Sequence, residues 1–321
     1  MDSLRAELNL GPVADWSLVA TWVVGLFLYA WWLGRDRSVV LRWAGVLAAA
    51  AGPFMLPPAA DPARMYLCGY AVVFAAKIWE RGANRVADPR CWNSPARFVV
   101  WWLLPPDHRW PMDAEDARAN RRRGRRRLVR GGAAAGLFVG MLGLAGQVDV
   151  HGTWLGSTAW ALLVIYGFIA AIADVGCGLV MLTGLDVVEV FRNPVLARSP
   201  NDFWANRWNR YINGFARRHI FFPWVDRLGM RGAAGAVFLA SGLMHEYLVV
   251  AWQGGWGSYT GWTTAFFVVQ GFGVLVAHSR VGAPRWRRPL AVGAHILWMM
   301  VTVPLFFAPL DEAIGFLSWR I

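Results

Sequence analysis

Residues 232–252 read GAAGAVFLASGLMHEYLVVAW, and this apolar run contains one histidine and one carboxylate, His245 and Glu246. About 20 apolar residues suffice for a helix to cross the hydrocarbon core of a bilayer, so the run predicts a transmembrane helix. His245 is the fourteenth residue of the run and would lie near the bilayer midplane. An ionisable side chain at that depth is costly, which makes His245 a functional candidate.

The apolar character extends over the whole chain of 321 residues, of which 57% are hydrophobic, and the mean hydropathy is +0.37. We therefore predict an all-α, polytopic helical membrane protein with a single integral-membrane domain over residues 1–321. The polar ends of the third predicted span, Lys77 and Glu80, are expected to reach the membrane interface. About eight transmembrane helices are predicted, at residues 13–33, 39–56, 65–80, 130–148, 157–182, 232–252, 261–279 and 289–309.

Basic residues are distributed unevenly between the predicted loops. With this layout, 29 of the 32 basic side chains fall on one side of the membrane. Cytoplasmic loops carry an excess of Lys and Arg, so we expect a multi-pass cell-membrane protein with its basic loops in the cytoplasm and both termini outside. The net charge of +12 is explained by this asymmetry, and no nucleic-acid partner is expected.

The densest basic run is Arg121-Arg122-Arg123-Gly124-Arg125-Arg126-Arg127. It is interpreted as a topology anchor that touches anionic membrane lipids. The alternative is a docking patch for a phosphate-rich substrate such as coenzyme A.

A second loop segment, from Pro200 to Asp226, is amphipathic and rich in aromatic residues. Its apolar residues recur at helical spacing among arginines, which predicts one helix lying in the cytosolic interface. Asp202 follows Pro200-Asn201 and is expected to be the N-cap of that helix.

Two residues are the main candidates for chemistry. A neutral imidazole at His245 could accept a proton from a substrate hydroxyl, and the alternative is a histidine that only hydrogen-bonds a neighbouring helix. Asn209 can hold a carbonyl or orient a base, and the alternative is a local cap. Asp174 is a further intramembrane acid that could line a cavity or make a structural hydrogen bond, and His295 is a weaker second histidine. No metal site is suggested by residue spacing.

The motif Asp202-Phe203-Trp204-x-x-Arg207-Trp208-Asn209, then Phe222-Pro223, then Ser241-Gly242-Leu243-Met244-His245-Glu246, resembles the wax synthase branch of the membrane-bound O-acyltransferase (MBOAT) superfamily. The resemblance is best over residues 190–250. One departure is Ala205-Asn206, where the family pattern has Gly-Arg, which removes a positive charge near the expected donor site.

This resemblance implies transfer of a fatty acyl group from acyl-CoA to a hydroxyl-bearing lipid or small-molecule acceptor. His245 would be the catalytic base and Asn209 its polar partner. Acyl-CoA would enter from the cytoplasmic side as a co-substrate, with no cofactor and no metal. The implied substrate-binding residues are Asp202, Phe203, Trp204, Arg207, Trp208, Ser241 and Glu246.

Two other functions stay open at this point. A proton-coupled or lipid transporter would use His245 and Asp174 as a relay, but the sequence lacks the internal repeat on which many transporters are built. A catalytically silent family member would bind lipid or a partner protein, although the presence of both His245 and Asn209 argues against it.

Overall fold

The computed structural model describes residues 16–34, 38–57, 61–104, 107–145, 153–277 and 288–315. Within these ranges the structure is almost entirely helical, and the only strands are the two-residue β1 (His108–Arg109) and β2 (Asp186–Val187), which pair antiparallel. The predicted all-α class is confirmed. Residues 13–15, 146–148 and 278–279, at one end of each of the predicted spans 13–33, 130–148 and 261–279, lie outside the described residues.

A helix occurs at each of the eight apolar runs, and the last run contains a pair of helices. The helices in chain order are α1 (Trp16–Leu33), α2 (Val39–Ala51), α3 (Asp61–Ala83), α4 (Pro95–Leu103), α5 (Ala114–Ala145), α6 (Trp154–Leu182), α7 (Pro200–Asp202), α8 (Arg210–Ala216), α9 (Phe222–Gln253), α10 (Trp262–Ala277), α11 (Arg288–Thr302) and α12 (Pro304–Ile314).

Three helical stretches of the described chain are long and apolar enough to cross a membrane on their own: 114–144, 156–182 and 210–253. The α11–α12 pair, bent by 45°, adds a fourth when the two helices are taken as one broken span. Shorter apolar helices occur at 17–33, 39–55 and 262–277. These helices identify an all-α membrane protein.

The chain forms two compact units, which are described separately. The first comprises Met1–Pro106 with Met244–Thr260, and the second comprises Asp107–Leu243 with Gly261–Ile321. A single membrane domain over residues 1–321 stays a prediction.

In the first unit, the charged end of α3 is buried and does not reach an interface. Lys77 and Glu80 are both inaccessible to solvent. The Lys77 ammonium donates hydrogen bonds to the backbone carbonyls of Trp101 and Leu104, the latter at 2.8 Å, and lies 4.7 Å from the centre of the Trp101 ring. These carbonyls belong to the end of α4, where helix carbonyls lack partners of their own. The expectation that Lys77 and Glu80 snorkel is therefore wrong, because Lys77 caps α4 instead.

The same unit holds the last part of α9 in place through two long-range hydrogen bonds. Arg64 Nε donates to the carbonyl of Ala251 at 2.6 Å, and the Tyr247 hydroxyl donates to the carbonyl of Ala50 at 2.9 Å. Both bonds fix the segment that carries His245.

In the second unit, α5 and α6 pack closely because glycines face each other. A Cβ on Gly178 would lie 2.8 Å from Leu128 Cγ and 3.0 Å from the Gly124 carbonyl oxygen. A Cβ on Gly124 would lie 2.9 Å from the Gly178 carbonyl oxygen. Small residues at such a crossing let helix backbones approach each other.

We expect Gly178→Ala to lower the free energy of unfolding by about 1–3 kcal/mol, because the new methyl group meets backbone atoms that cannot easily move. The measurement is the thermal unfolding midpoint of purified protein in detergent. Gly176→Ala is the matched control on the same helix, since nothing lies within 4 Å of a Cβ at that position. Equal midpoints for the two variants would contradict the close crossing.

Candidate functional site

The segment predicted as one interfacial helix is broken into short pieces. After α7, residues Phe203–Arg207 form a π-helical turn, Trp208 is extended, and Asn209 adopts the left-handed conformation with φ 38°. α8 and a second π-helical turn, Arg217–Phe221, lead into α9. The prediction of a continuous helix is wrong, because asparagine tolerates the left-handed conformation at which the chain turns.

The N-cap of this segment is Ser199 rather than Asp202. The Ser199 hydroxyl accepts a hydrogen bond from the Asp202 backbone N–H at 3.1 Å, and the Asp202 carboxylate accepts one from the Arg198 N–H at 3.1 Å. This reciprocal arrangement is similar to a capping box. Asp202 therefore lies in the first turn of the helix, where its charge is favourable.

Asp202 also pairs with Arg207 across the π-helical turn. Arg207 Nε lies 2.9 Å from the carboxylate, and Arg207 Nη1 donates to the carbonyls of Arg192 and Asn193. Burial raises the pKa of Asp202, but hydrogen bonds from the Arg198 N–H and the Arg207 guanidinium outweigh burial, so this pKa is lowered. The ion pair ties the motif to the chain that precedes it.

A polar cavity of about 390 Å³ opens beside this ion pair, and its lining residues are Arg192, Asn193, Asp202, Asn206 and Arg207. Two guanidinium groups and one carboxylate give the lining a net positive charge. Such a cavity suits an anionic or strongly polar group of a ligand.

Asn209 occupies the cap position that was its alternative interpretation. Its Oδ1 accepts a hydrogen bond from the Ile212 backbone N–H at 3.3 Å, which caps α8. The Arg210 N–H next to it donates to the Val190 carbonyl at 3.0 Å. Asn209 is therefore held firmly in a tight turn, and its role in catalysis stays a prediction.

The aromatic residues of the motif pack against one another and against the helices of the second unit. The Phe203 ring stacks on Trp208 at 5.2 Å, and Trp204 lies 5.9 Å from Phe238 and 5.5 Å from Phe267. Their contact with a substrate stays a prediction.

Sequence inspection missed a polar network at the centre of this packing. Gln270, which is fully buried, accepts hydrogen bonds from the indole N–H groups of Trp204 and Trp298, each at 3.1 Å. Its amide group donates to the Thr302 hydroxyl at 2.8 Å. A lone glutamine in the apolar run of α10 was the signal that could have revealed this network.

The second motif lies on α9, where a break precedes the apolar run. Gly229 has φ 65°, so the helix is interrupted three residues before residue 232. Glu246 is buried, and His245 and Ser241 are half-buried. Ser241 belongs to the second unit, whereas His245 and Glu246 belong to the first. The catalytic and substrate-binding roles of these three residues stay predictions.

Two glycines of α9, Gly235 and Gly242, differ in how closely other helices approach them. A Cβ on Gly242 would lie 3.0 Å from Thr264 Cα of α10, so the two backbones approach closely there. Among the described residues, no atom lies within 4 Å of a Cβ on Gly235, so there is no such close approach at that position.

Asp174 forms a structural ion pair, the second of its two interpretations. Arg130 reaches both Asp174 oxygens, at 2.6 and 2.7 Å, and also lies 2.8 Å from Glu189. Nearby, Arg123 pairs with Asp186 at 3.2 Å, and Arg127 donates to the carbonyl of Val187. Part of the basic run therefore fastens α5 to the chain around β2.

Comparison with known proteins agrees with this motif order. Residues 187–269 match the model of the membrane bound O-acyl transferase family. The resemblance to the wax synthase-like branch of MBOAT is confirmed. The matched residues include the whole Asp202–Asn209 motif and the α9 segment with His245 and Glu246.

Among similar proteins is "Acyl-CoA--sterol O-acyltransferase 1" of Arabidopsis thaliana, 26% identical over 47% of this chain and 47% of the relative. "Probable long-chain-alcohol O-fatty-acyltransferase 2" of the same plant is 33% identical over 46% and 47% of the two chains. The "Long-chain-alcohol O-fatty-acyltransferase" of Simmondsia chinensis is 32% identical over 39% of each chain. The aligned part thus spans less than half the length of these relatives.

We expect Gln270→Leu to lower the unfolding midpoint strongly, because it leaves two indole N–H groups buried without an acceptor, each costing about 1–3 kcal/mol. The check is thermal unfolding in detergent. In a Trp204→Phe/Trp298→Phe background, no indole donors remain, so the same change should cost much less. An equal cost in both backgrounds would show that the network contributes nothing beyond packing.

Proposed function

We propose that this chain transfers a fatty acyl group from acyl-CoA to the hydroxyl of an alcohol. The observation that supports this function best is the MBOAT match over residues 187–269, which contains the motif with Asn209 and the motif with His245. Relatives named for acyl transfer to sterols and to long-chain alcohols support a lipid alcohol as the acceptor.

In the proposed mechanism His245 is the general base. Its neutral imidazole takes the hydroxyl proton while the oxygen attacks the thioester carbonyl carbon. The carbon–sulfur bond then breaks, the CoA thiolate leaves with the proton from His245, and the ester remains.

Asn209 is proposed to act through its amide N–H₂ group. Its Oδ1 already accepts the capping hydrogen bond from Ile212, so the amide nitrogen is the atom that would donate to a substrate carbonyl. The fixed left-handed turn would hold that donor in one orientation, which favours catalysis by positioning.

The acyl donor is proposed to place its phosphates near the polar cavity. Arg192 and Arg207 supply positive charge there, while Asn206 stands where the family pattern has arginine. The one-sided distribution of basic loops supports donor entry from the cytoplasm with both termini outside, and the remaining loop arginines would contact anionic membrane lipids.

We expect His245→Ala to reduce acyl transfer by about a hundredfold or more, because general-base catalysis contributes at least that factor. The assay follows release of free CoA from palmitoyl-CoA when hexadecanol is added to purified protein. Leu243→Ala is the control on the same helix, since Leu243 is exposed and should keep wild-type turnover.

Three results, from this assay and from measurements of lipid transport and lipid binding, would count against the proposal. Near wild-type turnover by His245→Ala would reject His245 as the base. Lipid transport by vesicle-reconstituted wild type without ester formation would favour a transporter, although the Asp174 pairing with Arg130 weakens a proton relay. Lipid binding without either activity would indicate a silent family member.

We expect Asn209→Asp to lower turnover about tenfold, because it removes the proposed hydrogen bond from the amide N–H₂ group to the substrate carbonyl, which is worth about 1 kcal/mol. The unfolding midpoint should stay close to that of the wild type. Aspartate keeps the capping oxygen and tolerates the left-handed turn but lacks the amide donor. Asn209→Gly is the companion variant, because it tolerates the turn but removes both cap and donor. It should lose rate, while its free energy of unfolding falls by only about 0.3 kcal/mol. Full turnover by Asn209→Asp would reduce Asn209 to a structural cap.

A further inference from the structure

His295 is a buried histidine that the proposed mechanism does not use. It lies in α11 and is 4% exposed. Within the part of the chain that the structure describes, neither its Nδ1 nor its Nε2 has a hydrogen-bond partner. Buried polar groups in proteins are nearly always paired, so two unpartnered ring nitrogens on one side chain call for a partner beyond the described residues, and a ligand can supply one.

The position of His295 connects it to the MBOAT motif. Its ring lies 5.3 Å from the Phe203 ring at an angle of 48°, and the charge of Asp202 is near enough to act on it. Trp298, three residues further along α11, joins the network around Gln270. His295 is therefore held against the motif by well-defined neighbours.

Consecutive residues of the motif face two different chemical environments. Asp202 lines the polar cavity with Arg192 and Arg207, which suits an anionic group. Phe203 instead packs against His295 and against the rings of Trp204 and Trp208, and this aromatic side suits a neutral polar atom at the end of an apolar molecule. The charged part of a donor fits the first environment, and the end of a lipid alcohol fits the second.

We propose that His295 binds the hydroxyl of the acceptor alcohol. A neutral imidazole presents one donor and one acceptor, and a hydroxyl can pair with either nitrogen because it both donates and accepts. A thioester carbonyl only accepts, so it would satisfy only the N–H. This inference rests on the proposed acyl transfer.

The test combines binding and kinetics on the full chain in detergent. Hexadecanol should raise the unfolding midpoint of the wild type, while hexadecane, which lacks the hydroxyl, should not. His295→Leu should abolish this difference, and His295→Gln should keep most of it because the amide both donates and accepts. Without alcohol, His295→Leu should unfold at the wild-type midpoint or above, since it removes two unsatisfied polar atoms.

In the transfer assay, His295→Leu should raise the KM for hexadecanol about tenfold, because losing one hydrogen bond weakens binding by about that factor. The KM for palmitoyl-CoA should not change. A lowered midpoint with unchanged KM values would show a purely structural histidine and overturn the proposal. A raised KM for palmitoyl-CoA alone would overturn the choice of the acceptor. A hydroxyl-specific shift of the midpoint that His295→Leu retains would overturn it as well.

The two proposals can fail separately. If the wild type shows the hydroxyl-specific midpoint shift, and His295→Leu loses it, but no ester forms, acyl transfer fails and the alcohol site stands. If esters form but the wild-type midpoint does not respond to the hydroxyl, the His295 site fails and acyl transfer stands.

Discussion

A polar side chain buried among apolar helices is costly unless it is paired, and this constraint accounts for the positions of several polar residues in the described structure. Lys77 caps the end of α4, Asp174 pairs with Arg130, and Gln270 accepts two indole N–H groups. In each case the partner comes from a distant part of the sequence. The polar residues thus specify which helices of a unit meet, while the apolar residues supply the area that they bury.

The motif from Asp202 to Asn209 follows the same rule at a sharp turn of the backbone. The ion pair of Asp202 with Arg207 satisfies both charges, and Arg207 also satisfies two carbonyls of the preceding loop. Asn209 turns the chain and caps the next helix with the same side chain. The turn is therefore rigid without a long helix, which is the property that a substrate-binding loop requires.

Sequence patterns predicted the helices well, because long apolar runs admit few other structures in a membrane. They failed where pairing is non-local. Lys77 was expected at an interface because its partners at the end of α4 are not adjacent in sequence, and Gln270 was overlooked for the same reason. The continuous helix from Pro200 to Asp226 was predicted from spacing alone, which does not register a left-handed residue such as Asn209. Motif order, in contrast, identified the family segment correctly, since it depends on residue identity and not on contacts.

His295 departs from this pattern at both of its ring nitrogens, and this departure is informative. Replacing it by an apolar residue would remove an unfavourable burial, so stability alone does not explain a histidine at this position. His295 lies beside Phe203 and within reach of the Asp202 charge. It therefore belongs to the turn that combines the motif with a charged cavity. The turn thus has a cavity with net positive charge on one side and a buried imidazole on the other. In the proposed transfer, the phosphates of the donor would lie at the cavity, and the hydroxyl of the acceptor would lie at His295.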